Sequence, residues 1–138
     1  MTKQFTLGKK ERLKSRKNIE QLFNIGKNFV ITPYRVHYVI KKDEQKKEPS
    51  LLQFGVGVSG KNFKKAVDRN RIKRLTREAY RLQKLSLQEN LKKKNTTLHI
   101  FFNYTGKELP DFDHVKEKVA VALNKLSKLI NENSAPDS

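Results

Sequence analysis

The sequence predicts an α+β fold, a sandwich in which helices cover one face of a small mixed sheet. Segments 34–42 and 96–104 are rich in β-branched and aromatic residues, as strands are, and the first of them alternates in polarity. Segments 61–84 and 111–130 repeat apolar residues at the spacing of an amphipathic helix. The predicted order is helix, two or three strands, basic helix, strand and helix. We expect one domain over residues 1–138, ordered over about 7–130 with flexible termini.

The first predicted helix begins after a basic N-terminal segment. Ser15 can cap this helix with its hydroxyl group. Gly26 can end it, because glycine tolerates a positive φ angle after the last turn. Residues 27–32 can form a short strand that Pro33 ends. The inward residues of the first predicted helix are Ile19, Leu22 and Phe23. The basic cluster before it comprises Lys9, Lys10, Arg12, Lys14 and Arg16.

Two strands are predicted before the basic helix. In 34–42, alternation separates a more apolar set from a more polar one. Segment 43–50 is charged and predicts a hairpin loop, and 51–59 predicts the second strand. The glycines in and after that strand suggest a bulge or a close approach of the backbone. The sets are Tyr34, Val36, Tyr38 and Ile40 against Arg35, His37, Val39 and Lys41, and the glycines are Gly55, Gly57 and Gly60.

Segment 61–84 dominates the charge pattern, because ten of its residues are Lys or Arg. At 100° per residue, an apolar stripe lies opposite a cationic ridge. Such a ridge suits a phosphate backbone, since neutralising phosphates releases condensed counterions. The stripe comprises Ile72, Leu75, Ala79 and Leu82, and the ridge comprises Lys73, Arg74, Arg77, Arg81 and Lys84.

The C-terminal third predicts a strand and a helix after a Lys-rich tail and turn at 86–95. Asp111 or Asp113 can cap the last helix, and 131–138 has the composition of a disordered end. The helix carries an apolar stripe of Val115, Val119, Ala122, Leu123, Leu126, Leu129 and Ile130.

The charge balance predicts a polyanionic partner. With 31 Lys and Arg against 14 Asp and Glu, the net charge is +17, and self-repulsion of that size is best explained by nucleic acid. An anionic membrane is a weaker candidate, because no segment is apolar enough to span a bilayer. No apolar signal region begins the chain, so we expect a cytoplasmic protein.

Catalysis by the chain itself is not predicted. The chain has no cysteine, and its three histidines, His37, His99 and His114, lack the spacing of metal ligands. No Ser, Thr or Lys has an obvious activating neighbour, and no phosphate-binding glycine loop is present. We therefore expect no catalytic residue, no metal site and no cofactor bound by the protein alone.

The segment KKAVDRNRIKRLTREAYR resembles the signature of the protein subunit of bacterial ribonuclease P, centred on Arg69-Asn70-Arg71. The resemblance extends over about residues 7–130. It implies the fold of that family, which is similar to domain 2 of ribosomal protein S5 and has a rare left-handed crossover. It also implies an accessory subunit of an endoribonuclease, which binds the catalytic RNA and the 5′ leader of precursor tRNA. The RNA subunit would carry the active site and its Mg²⁺ ions, and no protein partner is implied.

The resemblance also assigns residues. Structured RNA and phosphates near the cleavage site would meet the basic motif, and unpaired leader bases would stack on an aromatic cleft. The cleft residues would be Ile19, Phe23 and Tyr38, facing Arg69 and Asn70. The RNA-binding residues would be Lys61, Lys64, Lys65, Arg69, Asn70, Arg71, Lys73, Arg74, Arg77 and Arg81.

Three positions depart from the family pattern. Ile19 replaces a common Phe, and Gly57 and Gly60 replace a common Ser and Lys. The strand that ends at Tyr104 lacks the usual Arg or Lys after it. Two other interpretations are open: a solvated basic helix with no partner, and a general RNA- or DNA-binding protein of ribosomal or nucleoid type without a processing role.

Overall fold

The computed structural model describes residues 16–42 and 52–133. Within these ranges the chain forms the predicted α+β arrangement, with one helix more than the sequence predicts. Ser15, the loop at 43–50 and the basic residues Lys9, Lys10, Arg12 and Lys14 lie outside the described residues. The elements are α1 (Arg16–Ile25), β1 (Lys27–Ile31), β2 (Tyr34–Lys42), β3 (Leu52–Val58), α2 (Ala66–Gln83), α3 (Leu85–Lys93), β4 (Thr96–Tyr104) and α4 (Phe112–Asn133).

The sheet has four strands in the order β1-β2-β4-β3. Its first two pairs are antiparallel, and β3 pairs with β4 in parallel, so the sheet is mixed as predicted. A parallel pair needs a crossover connection, which α2 and α3 supply here. The left hand of that crossover stays a prediction.

One face of the sheet forms the core. Along β2 and β4, alternate side chains are buried beneath α2, α3 and α4. Helix α4 supplies the predicted apolar stripe to the same cluster, and Asp111 caps this helix by accepting a hydrogen bond from the His114 N–H at 2.8 Å. The helix continues through Asn133, so its last three residues correct the prediction of disorder from 131. The buried strand residues are Tyr34, Val36, Tyr38, Leu98, Ile100 and Phe102.

The buried side of α2 is rotated from the predicted stripe. Leu82 is exposed and Leu75 only partly buried, whereas Thr76 and Tyr80 are fully buried. Thr76 is accommodated because its hydroxyl donates to the Ile72 carbonyl at 2.8 Å and bonds the Tyr34 hydroxyl at 2.7 Å. The Tyr80 ring stacks on Phe54, with centroids 4.0 Å apart. The apolar pattern missed these residues because both carry a polar group.

Helix α3 corrects the prediction of a polar tail at 86–95. Leu87 and Leu91, four residues apart, are both buried and hold this short helix against the core. Lys84, assigned to the cationic ridge, is fully buried where α2 meets α3. Segment 86–95 is polar and contains three lysines. Its two inward leucines are too few to make a recognisable apolar stripe, because the helix has only nine residues.

The glycines act by close approach rather than by backbone freedom. No glycine in the described ranges has a positive φ angle, which corrects the reason given for the helix end at Gly26. A Cβ atom there would clash with the Leu22 carbonyl and lie 3.0 Å from the Tyr38 carbonyl. Strand β3 pairs residue by residue with β4, so the predicted alternative of a bulge is wrong.

The hydrogen bond between Thr76 and Tyr34 provides a test of this packing. Replacing Thr76 with Val should lower the free energy of unfolding by about 1–3 kcal/mol, because the Tyr34 hydroxyl is then buried without that bond. Urea denaturation measures the loss. Adding Tyr34→Phe should recover part of it, since the orphaned hydroxyl is removed. A neutral Thr76→Val variant would contradict the assignment.

Candidate nucleic-acid interface

The outer side of α2 carries the predicted cations. Asn70, Arg71, Arg74 and Arg77 are exposed, and Lys73 is half-buried. We call these residues the cationic surface of α2. The helix orients them outward because its opposite side is fixed in the core by Ile72, Thr76, Ala79 and Tyr80.

Two cations of the predicted ridge, Arg81 and Lys84, are less available to a phosphate than the exposed arginines are. Arg81 forms an ion pair with Glu78 one turn earlier, and this hydrogen bond raises the pKa of Arg81. The carboxylate offsets its charge, so Arg81 contributes less to the attraction of phosphates than Arg74 or Arg77. Lys84 is buried and does not belong to this surface.

A basic turn precedes α2. Lys61, Lys64 and Lys65 are exposed, whereas Phe63 between them is buried with its ring 6.0 Å from the ring of Tyr104. We call residues 59–65 the basic turn. It starts directly after β3 and ends immediately before α2, so it joins the sheet to the cationic surface.

The second face of the sheet carries an aromatic cluster. Phe23 of α1 contacts two rings on this face, His37 of β2 at 4.6 Å and Phe101 of β4 at 5.6 Å between centroids. His37 and Phe101 pair directly across the two strands. We call these three residues the aromatic cluster. Phe23 is 49% exposed although it lies amid aromatic neighbours, so its ring is accessible to a ligand.

Gly57 makes room for the cluster. A Cβ atom at residue 57 would lie 2.7 Å from Cζ of Phe101, which is closer than real side chains approach. The Phe101 ring therefore extends over the β3 backbone at the glycine. The departure at Gly57 removes a predicted hydroxyl and admits an aromatic ring instead.

The structure separates Tyr38 from the other two predicted cleft residues. Ile19 lies one turn before Phe23 on α1 and is half-buried. Tyr38 is only 8% exposed and lies on the helix-covered face, with its ring 5.7 Å from Phe29. His37 takes the position expected of Tyr38, because neighbouring residues in a strand point to opposite faces.

Polar residues on the same face extend the cluster. Arg35 lies two residues before His37 and donates a hydrogen bond to the Asn28 side chain at 2.7 Å. Asn103 pairs with Arg35 across the strands. Neither Arg35 nor Phe101 was predicted as a site residue, although the alternation in 34–42 puts Arg35 and His37 in one set.

Comparisons with known proteins agree with the motif. A family model for ribonuclease P matches residues 7–127. The ribonuclease P protein component of Porphyromonas gingivalis is 40% identical over 123 residues, which cover 89% of this chain and 88% of that protein. The chain belongs to the ribonuclease P protein component family. The same component of Chlorobium phaeobacteroides is 31% identical over 122 residues, covering 83% and 84%.

Solved structures show the same fold. The RNase P protein of Staphylococcus aureus has a TM-score of 0.60 and 17% identity, covering 87% of this chain and 97% of that chain. A mutant of the S. aureus protein with defective mRNA degradation activity has a TM-score of 0.56 and 18% identity. Family membership confirms the resemblance carried by the basic motif and implies an RNA partner. It does not favour a general basic nucleic-acid-binding protein.

The described residues form neither a metal-binding cluster nor a membrane-spanning helix. Within 16–42 and 52–133, no group of three or more His, Asp or Glu side chains is placed to hold a metal ion. None of the described helices is long and apolar enough to cross a bilayer.

Two histidines on the second face of the sheet have lowered pKa values. Burial, and then the charge of Arg35, lower the pKa of His37. Burial, and then the charge of Lys41, lower the pKa of His99. The unfolded chain therefore binds more protons than the folded one when the pH approaches the ordinary histidine pKa of about 6.5 from above.

This difference predicts acid sensitivity. Lowering the pH from about 7 to about 5.5 should lower the melting temperature, because stability present above the unfolded-state pKa is lost as the pH falls through the folded-state pKa. Thermal melts of His99→Gln should show a weaker pH dependence. The same substitution at exposed His114 is the control. Equal pH profiles for wild type and His99→Gln would contradict the role of His99.

Proposed function

We propose that this chain is the RNA-binding protein subunit of ribonuclease P, and that it assists a catalytic RNA in removing the 5′ leader from precursor tRNA. For a member of this family, the observation that carries the proposal is that the chain presents two different surfaces, one cationic and one aromatic. The cationic surface of α2 suits phosphates, and the aromatic cluster suits unpaired bases. The basic turn leads into α2, and it follows β3, whose Gly57 lies against the Phe101 ring of the cluster.

The cationic surface binds the RNA subunit. Arg74 and Arg77 are exposed on a helix whose other side is buried, so their guanidinium groups can approach a phosphate without loss of core packing. A planar guanidinium donates two parallel hydrogen bonds to one phosphate, which a lysine ammonium does not. Association also releases counterions, so affinity falls with salt.

The aromatic cluster binds the leader. Unpaired bases stack on aromatic rings at about 1–3 kcal/mol each, and every base has a face to stack. Phe23, His37 and Phe101 offer such rings, and nearby Arg35 can meet a phosphate between two bases. Tyr38 has no part in this surface because it lies beneath the helices. The predicted role passes to His37, its neighbour in the strand.

The chemistry belongs to the RNA subunit and its Mg²⁺ ions. The carboxylates near the cationic surface do not suit a metal site, because Glu78 is paired with Arg81 and Asp68 stands amid cations. We therefore assign no catalytic or metal-binding residue to this chain. Its contribution is to bind and orient the two RNAs, and to offset the repulsion between their phosphates.

Reconstitution tests the proposal directly. The protein is added to a bacterial ribonuclease P RNA, and cleavage of precursor tRNA is measured at low Mg²⁺. We expect cleavage at the 5′ end of the mature tRNA to rise well above that of the RNA alone. A chain that binds this RNA without stimulating cleavage would be a general RNA-binding protein.

The cationic surface can be tested through salt dependence. The Arg74→Ala and Arg77→Ala double variant should fold normally and bind the RNA subunit more weakly. The slope of log affinity against log salt should become shallower by roughly one to two units, at about 0.7–0.9 per phosphate contact. Lys93→Ala with Lys128→Ala changes the net charge equally at exposed sites on α3 and α4, and should change the slope less. Equal effects of the two double variants would argue against a localised surface.

The aromatic cluster can be tested with two substrates. His37→Ala should weaken binding of precursor tRNA roughly five- to a hundredfold in the reconstituted complex, which corresponds to one stacked base at about 1–3 kcal/mol. Mature tRNA has no leader and should bind almost as before. His37→Phe keeps a ring and should retain most of the affinity.

A substitution at Tyr38, the neighbour of His37 in β2, provides the contrast to His37→Ala. Tyr38→Ala should lower the melting temperature, because it removes a buried ring, and should affect both tRNAs alike. Selective loss of precursor binding in folded Tyr38→Ala, with none in His37→Ala, would contradict the assignment of the leader to the aromatic cluster.

A further inference from the structure

The side chain of Arg69 is directed back along the chain toward the basic turn. Its Nη1 atom donates to the Phe63 carbonyl at 2.7 Å and to the Lys64 carbonyl at 2.8 Å. Arg69 is half-buried, whereas Arg71 and Arg74 on the same helix are exposed. One nitrogen of the guanidinium thus binds two consecutive carbonyl groups just before α2.

The first half of the basic turn is held by other groups. The Phe63 N–H donates to the Ser59 carbonyl at 3.2 Å, and the Lys61 N–H donates to the Ser59 hydroxyl at 3.1 Å. The Asn62 amide reaches the Gly106 carbonyl at 3.4 Å, and the Phe63 ring is buried. These contacts fix residues 59–63 to the sheet.

The second half of the turn lacks a capping side chain. Lys65 is the N-cap residue of α2 and makes no side-chain capping bond. A Ser, Thr, Asp or Asn would ordinarily fix the entry of the chain into a helix here. Arg69 restrains the entry of the chain in a different way. A capping side chain accepts hydrogen bonds from N–H groups of the first turn, whereas Arg69 donates from that turn to the carbonyl groups that precede the cap.

We propose that Arg69 is a positioning residue, which locks the basic turn so that Lys61, Lys64 and Lys65 are held together as one phosphate-binding unit. Three ammonium groups within five residues repel one another, and a flexible turn would let them separate. Hydrogen bonds from a charged donor to two carbonyls oppose that separation. A turn fixed in advance also loses less conformational freedom when RNA binds.

The locking of the turn can be measured on the free protein. Arg69→Ala should increase trypsin cleavage after Lys64 and Lys65, and hydrogen exchange of the Phe63 amide, by at least about tenfold, since two charge-assisted bonds are lost. Arg71→Ala removes the same charge from an exposed site two residues away and should leave both rates near those of wild type. If Arg69→Ala does not fold, Arg69→Lys is used, because it keeps the charge but not the planar fork.

The RNA-binding part of the inference rests on the proposed function and uses a double-mutant cycle. Lys64→Ala with Lys65→Ala is introduced into wild type, Arg69→Ala and Arg71→Ala, and affinity for ribonuclease P RNA is measured at several salt concentrations. In wild type and Arg71→Ala, the lysine pair should lower the salt slope by about one to two units. In Arg69→Ala, the same pair should have less than about half of that effect, because the lysines are no longer held in place.

The outcomes separate the two proposals. Unchanged cleavage and exchange rates in Arg69→Ala overturn the positioning role, whatever happens with RNA. A loosened turn with additive effects in the cycle overturns the link between the turn and phosphate binding. Failure of the wild-type protein to bind the RNA is a failure of the proposed function, and the measurements on the free protein still decide whether Arg69 locks the turn.

Discussion

The two-residue alternation of β2 and β4 is the constraint on which the rest of the structure depends. Each side chain of these strands lies either beneath three helices or on the face that α1 only partly covers. Tyr34, Val36 and Tyr38 fill the core, and Arg35 and His37 lie on the other face. A polar residue is tolerated on the second face because water can satisfy it, whereas a polar group in the core is costly unless it is bonded, as the hydroxyl groups of Thr76 and Tyr34 are.

Helix α2 links the core to the cationic surface. Its inward side is fixed by one polar contact, between Thr76 and Tyr34, and by the stacking of Tyr80 on Phe54. Burial raises the pKa of Tyr34 to about 12, so its hydroxyl keeps its proton even at a pH at which an exposed tyrosine ionises. Because the helix cannot rotate while these contacts persist, its arginines stay outward. The stability of the core and the geometry of the interface are therefore set by the same residues.

Much of this fold is predictable from the sequence. The bounds of β2 and β4 and the cationic side of α2 follow from residue periodicity. Three features do not. Helix α3 has only two buried leucines in a polar segment, Thr76 and Tyr80 are polar residues inside the core, and Lys84 is buried at a helix junction. Tyr38 faces the core, as the alternation in 34–42 implies by grouping it with the apolar set, and the resemblance to the family does not reveal this. His37 and Phe101 become neighbours only through strand pairing, which the local sequence does not specify.

The close approach at Gly57 couples two positions that are far apart in the chain. The Phe101 ring occupies the volume that any side chain at 57 would need. A serine at 57 would have to displace that ring, because the added Cβ atom meets its outer end. The β3 backbone at Gly57 and the ring of Phe101 therefore form one continuous surface. A larger residue at 57 keeps the shape of this face only if the ring at 101 moves or is replaced by a smaller side chain.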